Sequence, residues 1–174
     1  MQRVLDAVAH QAAWWWCILF ARAELCGLAL LGPLAYVFGH ASMRPAWRSR
    51  VILLALLGAL MGLAGDTLLV RAGYLSSKVA LELGPTLPFM AALWAAAAVS
   101  LTLSSGFMVG LSPGRAALAG AVLGPLAYAG GARLAVLVLA PHALLFVAIE
   151  WAVAVPLLGA GARLLDRLPK RAEP

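Results

Sequence analysis

The stretch from Val51 to Gly73, VILLALLGALMGLAGDTLLVRAG, decides the fold, because it is long and apolar enough to cross a lipid bilayer. A hydrocarbon core about 30 Å thick needs about 20 predominantly apolar residues in a helix. Asp66 lies inside this run, and a carboxylate near the centre of a membrane helix costs about 2.5–3.5 kcal/mol. Such a side chain normally faces a partner or a polar cavity, so Asp66 is the first candidate functional residue.

The composition of the whole chain agrees with a membrane protein. Of the 174 residues, 64% are hydrophobic and only 11% are charged, whereas soluble domains carry about 25% charged residues. The net charge of +6 would suit nucleic acid, but the basic residues stand singly between apolar runs. We therefore expect no nucleic-acid partner, and we predict an all-α integral membrane protein with one transmembrane domain over residues 1–174.

Six apolar runs predict a six-helix transmembrane bundle. The predicted helices span residues 4–21, 27–43, 51–73, 87–108, 115–133 and 141–164. Loop charges then predict the orientation by the positive-inside rule. With the N-terminus inside, the inner segments hold Arg3, Arg44, Arg48, Arg50, Arg115, Arg163, Arg167, Lys170 and Arg171, and the outer segments hold Arg22, Arg71, Lys78 and Arg133. We expect a multi-pass protein with both termini in the cytoplasm.

One six-residue sequence occurs twice. Leu31–Tyr36 and Leu123–Tyr128 both read LGPLAY, and they fall in the second and fifth predicted helices. A separation of three helices predicts two inverted three-helix repeats, an arrangement common in transporters. Alternatively, Gly-Pro kinks with small neighbours are ordinary packing devices in membrane helices. The sequence leaves both interpretations open.

Depth along the predicted helices brings distant residues to one level. At 1.5 Å per residue, Asp66 lies about 10 Å below the outer end of its helix, and Glu150 and Trp94 fall at a similar depth in descending helices. We predict one outward-opening polar chamber whose substrate-binding or proton-binding residues are Asp66, Glu150, Trp94, Tyr128 and Arg133. In the alternative, the carboxylates only pair with Arg133 or Arg71 and lock helices together.

Several short segments carry a resemblance to a known family. They are Gln11 with Trp14–Trp16, Gly65-Asp66, Pro88–Trp94 and Gly124–Leu134. The chain resembles a family of small uncharacterised bacterial inner-membrane proteins, the domain of unknown function 2878. Members are often encoded near enzymes that modify membrane fatty acids, so the resemblance implies the bacterial inner membrane and a lipid context, but no particular reaction. The match is poorest around His10, whose role is left open, as is that of His40.

Catalytic signatures are missing from the sequence. It contains no GxSxG, HExxH, Gly-rich phosphate loop or CxxC pattern, and nothing in the spacing pairs a serine with His10 or His40. We expect no cofactor and no metal, with Cys17 and Cys26 acting as small apolar side chains.

Three functional classes follow from these observations. The leading hypothesis is a transporter or binding protein for a hydrophobic or amphiphilic solute, working among membrane lipids. The second is an accessory or scaffold protein that binds a membrane-lipid-modifying enzyme. The third is an intramembrane enzyme that uses Asp66 and Glu150 as acid and base.

Overall fold

The computed structural model describes residues 2–77, 87–104 and 110–167, which are almost entirely helical. The helices are α1 (Gln2–Arg22), α2 (Cys26–Ala29), α3 (Leu31–Met43), α4 (Arg48–Arg71), α5 (Pro88–Val99), α6 (Pro113–Arg133) and α7 (Ala143–Asp166). A 3₁₀ turn at Pro45–Trp47 precedes α4, and α5 continues as a π-helical segment at Ser100–Ser104. Two short strands, β1 (Leu75–Ser77) and β2 (Leu137–Leu139), follow α4 and α6. Since α2 and α3 form one broken segment, the described residues contain six long helical segments.

Four of these segments are long and apolar enough to cross a membrane. Within the described ranges they are Val4–Arg22, Cys26–Met43, Pro45–Arg71 and Ala143–Asp166, and a shorter apolar helix covers Pro88–Leu103. The chain is therefore a helical membrane protein. Residues 105–108 of the predicted fourth helix lie outside the described residues, as do Lys78, Lys170 and Arg171 of the charge count.

The helices α1, α4 and α6 end in the same way. Each ends on an arginine, and two residues later the backbone is left-handed, at Glu24, Gly73 and Ala135. The next N–H then bonds back five residues, from Leu25 to Phe20, from Tyr74 to Leu69 and from Val136 to Gly131. This Schellman arrangement satisfies the last carbonyls of each helix, and each arginine complements the negative end of its helix dipole.

We call α4, β1 and α5 the first hairpin and α6, β2 and α7 the second hairpin. The α4–β1 part of the first corresponds residue by residue to the α6–β2 part of the second, and α5 corresponds to α7, with Trp94 matching Trp151. Arg71 corresponds to Arg133, and the left-handed Gly73 corresponds to Ala135. The two strands pair antiparallel, with Leu75 opposite Leu139. Ser77 is likewise opposite Leu137, so the register is the same when the two strands are exchanged. A pseudo-two-fold axis therefore passes through the central pair of Ser76 and Val138.

Each hairpin is packed by a pair of glycines against a tryptophan. In the first hairpin, a methyl group added at Gly62 of α4 would overlap the Trp94 side chain of α5. In the second, a methyl group at Gly124 of α6 would overlap Trp151 of α7. Both glycines end a Gly-x-x-x-Gly motif, which lets membrane helices approach closely. The two indole rings meet beside the pseudo-two-fold axis, with centroids 4.6 Å apart.

The predicted inverted three-helix repeat is not confirmed. The repeat that the structure contains joins two hairpins of the same orientation, and it pairs Gly124 with Gly62 and Tyr128 with Asp66. Gly32, in the first LGPLAY segment, packs against Trp16 of α1. Both LGPLAY glycines thus make room for a tryptophan on a neighbouring helix, which agrees with local packing.

Both ends of the described chain lie at one end of the bundle. Arg50, at the start of α4, bonds Asp166 at the end of α7, with Nη1 and Oδ1 3.0 Å apart. Arg44, just after α3, lies 3.7 Å from the Asp6 carboxylate of α1. This end of the bundle, which we call the terminal face, is opposite the β1–β2 pair.

Candidate functional site

Asp66 is the centre of a hydrogen-bonded cluster that joins three helices. Its side chain is completely buried in α4. The Tyr128 hydroxyl of α6 donates to Oδ1 of Asp66. The Trp94 indole N–H of α5 donates to Oδ2 at 3.2 Å and to the Tyr128 oxygen at 3.3 Å. Asp66, Tyr128 and Trp94 form what we call the Asp66 cluster, and it satisfies the buried carboxylate without a cation.

Glu150 lies directly beside this cluster. Its side chain packs against Gly65, the neighbour of Asp66, and a methyl group at Gly65 would overlap the Glu150 carboxylate. Glycine at this position therefore allows α7 to bring a second acid up to α4. Both carboxylate oxygens of Glu150 are buried without a hydrogen-bond partner. A buried polar group without a partner is costly, so a ligand, a proton or water would stabilise Glu150.

Arg133 does not join the cluster. It is exposed at the end of α6, and Arg71 is exposed at the corresponding end of α4. At the terminal face, Arg44 and Arg50 form ion pairs with Asp6 and Asp166. Within the part of the chain that the structure describes, neither buried acid is paired with an arginine, so the structure does not support the helix-locking alternative.

A cavity of about 80 Å³ separates α5 from α6 next to the Asp66 cluster. Trp94 and Tyr128 line it, together with Leu93, Ala127 and Trp151, and α1 covers it with residues that include His10 and Trp14. A buried water needs about 10–15 Å³, so the cavity can hold several waters or a small organic group. The two acids do not line this cavity, which differs from the predicted chamber, because Trp94 and Tyr128 stand between Asp66 and the open space.

A wider groove of about 400 Å³ lies beside the cavity, at the outer surface of the bundle. It shares Trp14, Ala127 and Trp151 with the cavity and extends to Leu123 and Leu126 of α6. Both leucines are exposed, so they face lipid when the protein is in a membrane. Ser100 of the π-helical segment lines the same groove, and π-helical turns are frequent at functional sites. The groove therefore adjoins the cavity between α1 and α6.

The two hairpins differ at the cavity and at Glu150. On one side of the pseudo-two-fold axis α4 packs directly on α7, with Gly65 against Glu150. On the other side the equivalent residues are Ala127 and Leu93, and they line the cavity between α6 and α5. The contact between α4 and α7 is thus closed and contains an acid, whereas the equivalent contact between α6 and α5 is open and apolar.

Sequence reasoning missed Trp151, whose ring contacts that of Trp94 at a tilt of 40°. Trp151 also lines the cavity and has a buried indole N–H without a hydrogen-bond partner. The signal was the pair of Gly-x-x-x-Gly motifs at Gly58–Gly62 and Gly120–Gly124. His10 also lines the cavity, although its role was left open.

Fold and site define a helical membrane protein with a buried, hydrogen-bonded acid beside an aromatic cavity. Among the described residues no group of three or more His, Cys, Asp or Glu side chains could hold a metal ion, and Cys17 and Cys26 are buried and free. The chain belongs to the family described as Protein of unknown function (DUF2878), whose model matches residues 3–157. No curated protein and no solved structure matches it.

Proposed function

We propose that this protein binds and moves a small amphiphilic solute, which enters from the lipid through the groove and places its polar end in the cavity. The observation that carries this proposal is that the groove and the cavity beside the Asp66 cluster share the lining residues Trp14, Ala127 and Trp151. We further propose that the chain crosses the membrane six times, with the terminal face in the cytoplasm of a bacterial cell. The basic residues of the inner segments support this orientation.

The chemistry of the cavity favours a hydroxyl or ammonium head group. The N–H of Trp94 and the O–H of Tyr128 are already used within the Asp66 cluster, so the cluster offers acceptor positions to a ligand. Trp151 contributes a further N–H that lacks a partner. A hydroxyl group donates and accepts at once, and an ammonium group donates. An anionic head group would lie near the two acids behind the wall that Trp94 and Tyr128 form, and their negative charge disfavours it.

Ligand retention by the purified protein tests the proposal. Native mass spectrometry of the protein in detergent, incubated with a long-chain alcohol, amine or carboxylate of equal chain length, should show one retained alcohol or amine and little carboxylate. Ala127→Phe places a ring where the cavity and the groove meet, so this variant should lose the retained molecule. Leu118→Phe, on the exposed surface of the same helix, is the matched control.

Equal retention by wild type and Ala127→Phe would contradict the proposed site. If the site is confirmed, uptake of the retained compound into proteoliposomes separates transport from binding alone. The accessory role beside a lipid-modifying enzyme stays a prediction, and co-purification with such an enzyme would test it.

A further inference from the structure

We propose that α1 and α3 form a proton route from the terminal face to the cavity, built from Asp6, His40, Tyr36 and His10. This route deepens the proposed function, on which its purpose rests, because it would supply or remove the proton that accompanies an amphiphile at the acidic site. Ionisable side chains inside membrane helices are costly, and lines of Asp, Glu and His commonly serve as proton relays.

The sequence places these residues on two facing stripes. Asp6, His10 and Trp14 are four residues apart on one face of α1. Tyr36 and His40 have the same spacing on α3, and Arg44 follows at the cap of that helix. Residues at this spacing lie one above the other on a helix. Because α1 packs against α3, the two stripes meet inside the bundle.

The contacts alternate between the two helices. At the terminal face, the Asp6 carboxylate lies 3.6 Å from Nε2 of His40. The His40 ring contacts the Tyr36 ring, with centroids 4.6 Å apart, and Tyr36 in turn contacts His10 edge-on at 5.6 Å. His40 and Tyr36 are buried in the bundle.

His10 completes the route at the cavity. It lines both the cavity and the groove, and Tyr128 of the Asp66 cluster lines the same cavity. The charged groups at the other end are Asp6 and Arg44, whose side chains are 14% and 30% exposed. In one transfer, Asp6 takes up a proton at the terminal face and passes it to Nε2 of His40. His40 then releases the proton on its Nδ1 towards the Tyr36 hydroxyl and His10. A proton is thereby delivered towards the cavity, and His40 is left as its other tautomer, which a ring flip resets before the next transfer.

The exchange rate of the His10 ring proton with bulk water tests this route without any amphiphile. The chain contains three histidines, so ¹⁵N-histidine NMR of the full-length protein in lipid nanodiscs resolves each one, assigned by loss of its signal in a His→Asn variant. Tyr36→Phe keeps the ring contacts but removes the hydroxyl, and His40→Asn interrupts the stripe. Each should slow His10 exchange at least tenfold. His142→Asn alters an exposed histidine outside the stripe and should leave the rate unchanged.

A His10 exchange rate within twofold of wild type in both Tyr36→Phe and His40→Asn would overturn the route, since protons would then reach His10 another way. If His40→Asn fails to fold, Tyr36→Phe and Asp6→Asn decide the question. If the wild-type protein retains no alcohol but the variants slow His10 exchange as expected, only the proposed function is contradicted. If the wild-type protein retains the alcohol but the variants leave His10 exchange unchanged, only the route is contradicted.

Discussion

Asp66 and Tyr128 occupy equivalent positions in the two hairpins and hydrogen bond to each other beside the pseudo-two-fold axis. A position that is duplicated in the fold thus carries an acid in one copy and a phenol in the other. This difference lets the acid be buried completely, because its partner across the axis supplies a donor instead of a second negative charge.

Tyr128→Phe should therefore destabilise the protein. The variant keeps the ring but leaves Oδ1 of Asp66 without its donor, and an unsatisfied buried acceptor costs about 1–3 kcal/mol. The free energy of unfolding, measured by denaturant titration in mixed micelles, should fall by that amount. Tyr74→Phe is the control, since Tyr74 packs against Phe146 away from the cluster. Equal stability of both variants would show that the bond to Asp66 contributes little.

Gly62→Ala and Gly124→Ala should each loosen one hairpin. In both variants the new methyl group overlaps a tryptophan on the adjacent helix, and overpacking a close interface costs about 1–3 kcal/mol. Thermal unfolding midpoints of the two variants should drop. Gly39→Ala, where a methyl group meets open space on α3, should leave the midpoint unchanged or raise it. A drop for Gly39→Ala as large as the other two would contradict this explanation.

Substitutions at the equivalent C-terminal caps of α4 and α6 should change stability in opposite directions. Ala135 adopts the left-handed backbone that Gly73 adopts at the equivalent position, and this conformation costs a non-glycine residue about 1–2 kcal/mol. Ala135→Gly should stabilise the protein and Gly73→Ala should destabilise it by a similar amount. Unfolding titrations of the two single variants check the signs. If both variants shift stability in the same direction, the caps are not equivalent.

The proposed six crossings predict that the turn before α4 and strand β1 are on opposite sides of the membrane. Ser49 and Ser76 are both exposed, near the terminal face and in β1 respectively. In a background with both native cysteines replaced by alanine, Ser76→Cys should react with a membrane-impermeant maleimide in intact cells, whereas Ser49→Cys should react only after permeabilisation. The reverse pattern would reverse the proposed orientation.

The sequence indicates the parts of this structure that depend on local composition. Apolar runs predict the helices, and depth along them selects Asp66, Glu150, Trp94 and Tyr128 as neighbours, as the structure places them. Arg133, which the same depth argument selects, lies apart from these residues and is exposed, because depth alone does not tell which side of a helix a residue occupies. The sequence does not reveal the repeat of the two hairpins. The identical LGPLAY segments suggest a different pairing of helices, whereas the two hairpins match in their helix caps and glycine spacing, which makes Asp66 equivalent to Tyr128.

The last prediction concerns Glu150, whose counterpart in the first hairpin is Leu93. The buried carboxylate lacks a hydrogen-bond partner, and an unsatisfied buried polar group costs about 1–3 kcal/mol. Glu150→Leu should therefore raise the free energy of unfolding, while removing one of the two acids that disfavour an anionic ligand. With that acid removed, binding of the long-chain carboxylate should rise relative to binding of the alcohol. Gain of stability together with loss of ligand selectivity is expected for a destabilising group that is retained for function. The lipid-exposed neighbour Ile149 supplies the control, because Ile149→Leu should change neither quantity. A Glu150→Leu variant that is less stable than wild type would instead make Glu150 a structural residue with a partner outside the described contacts.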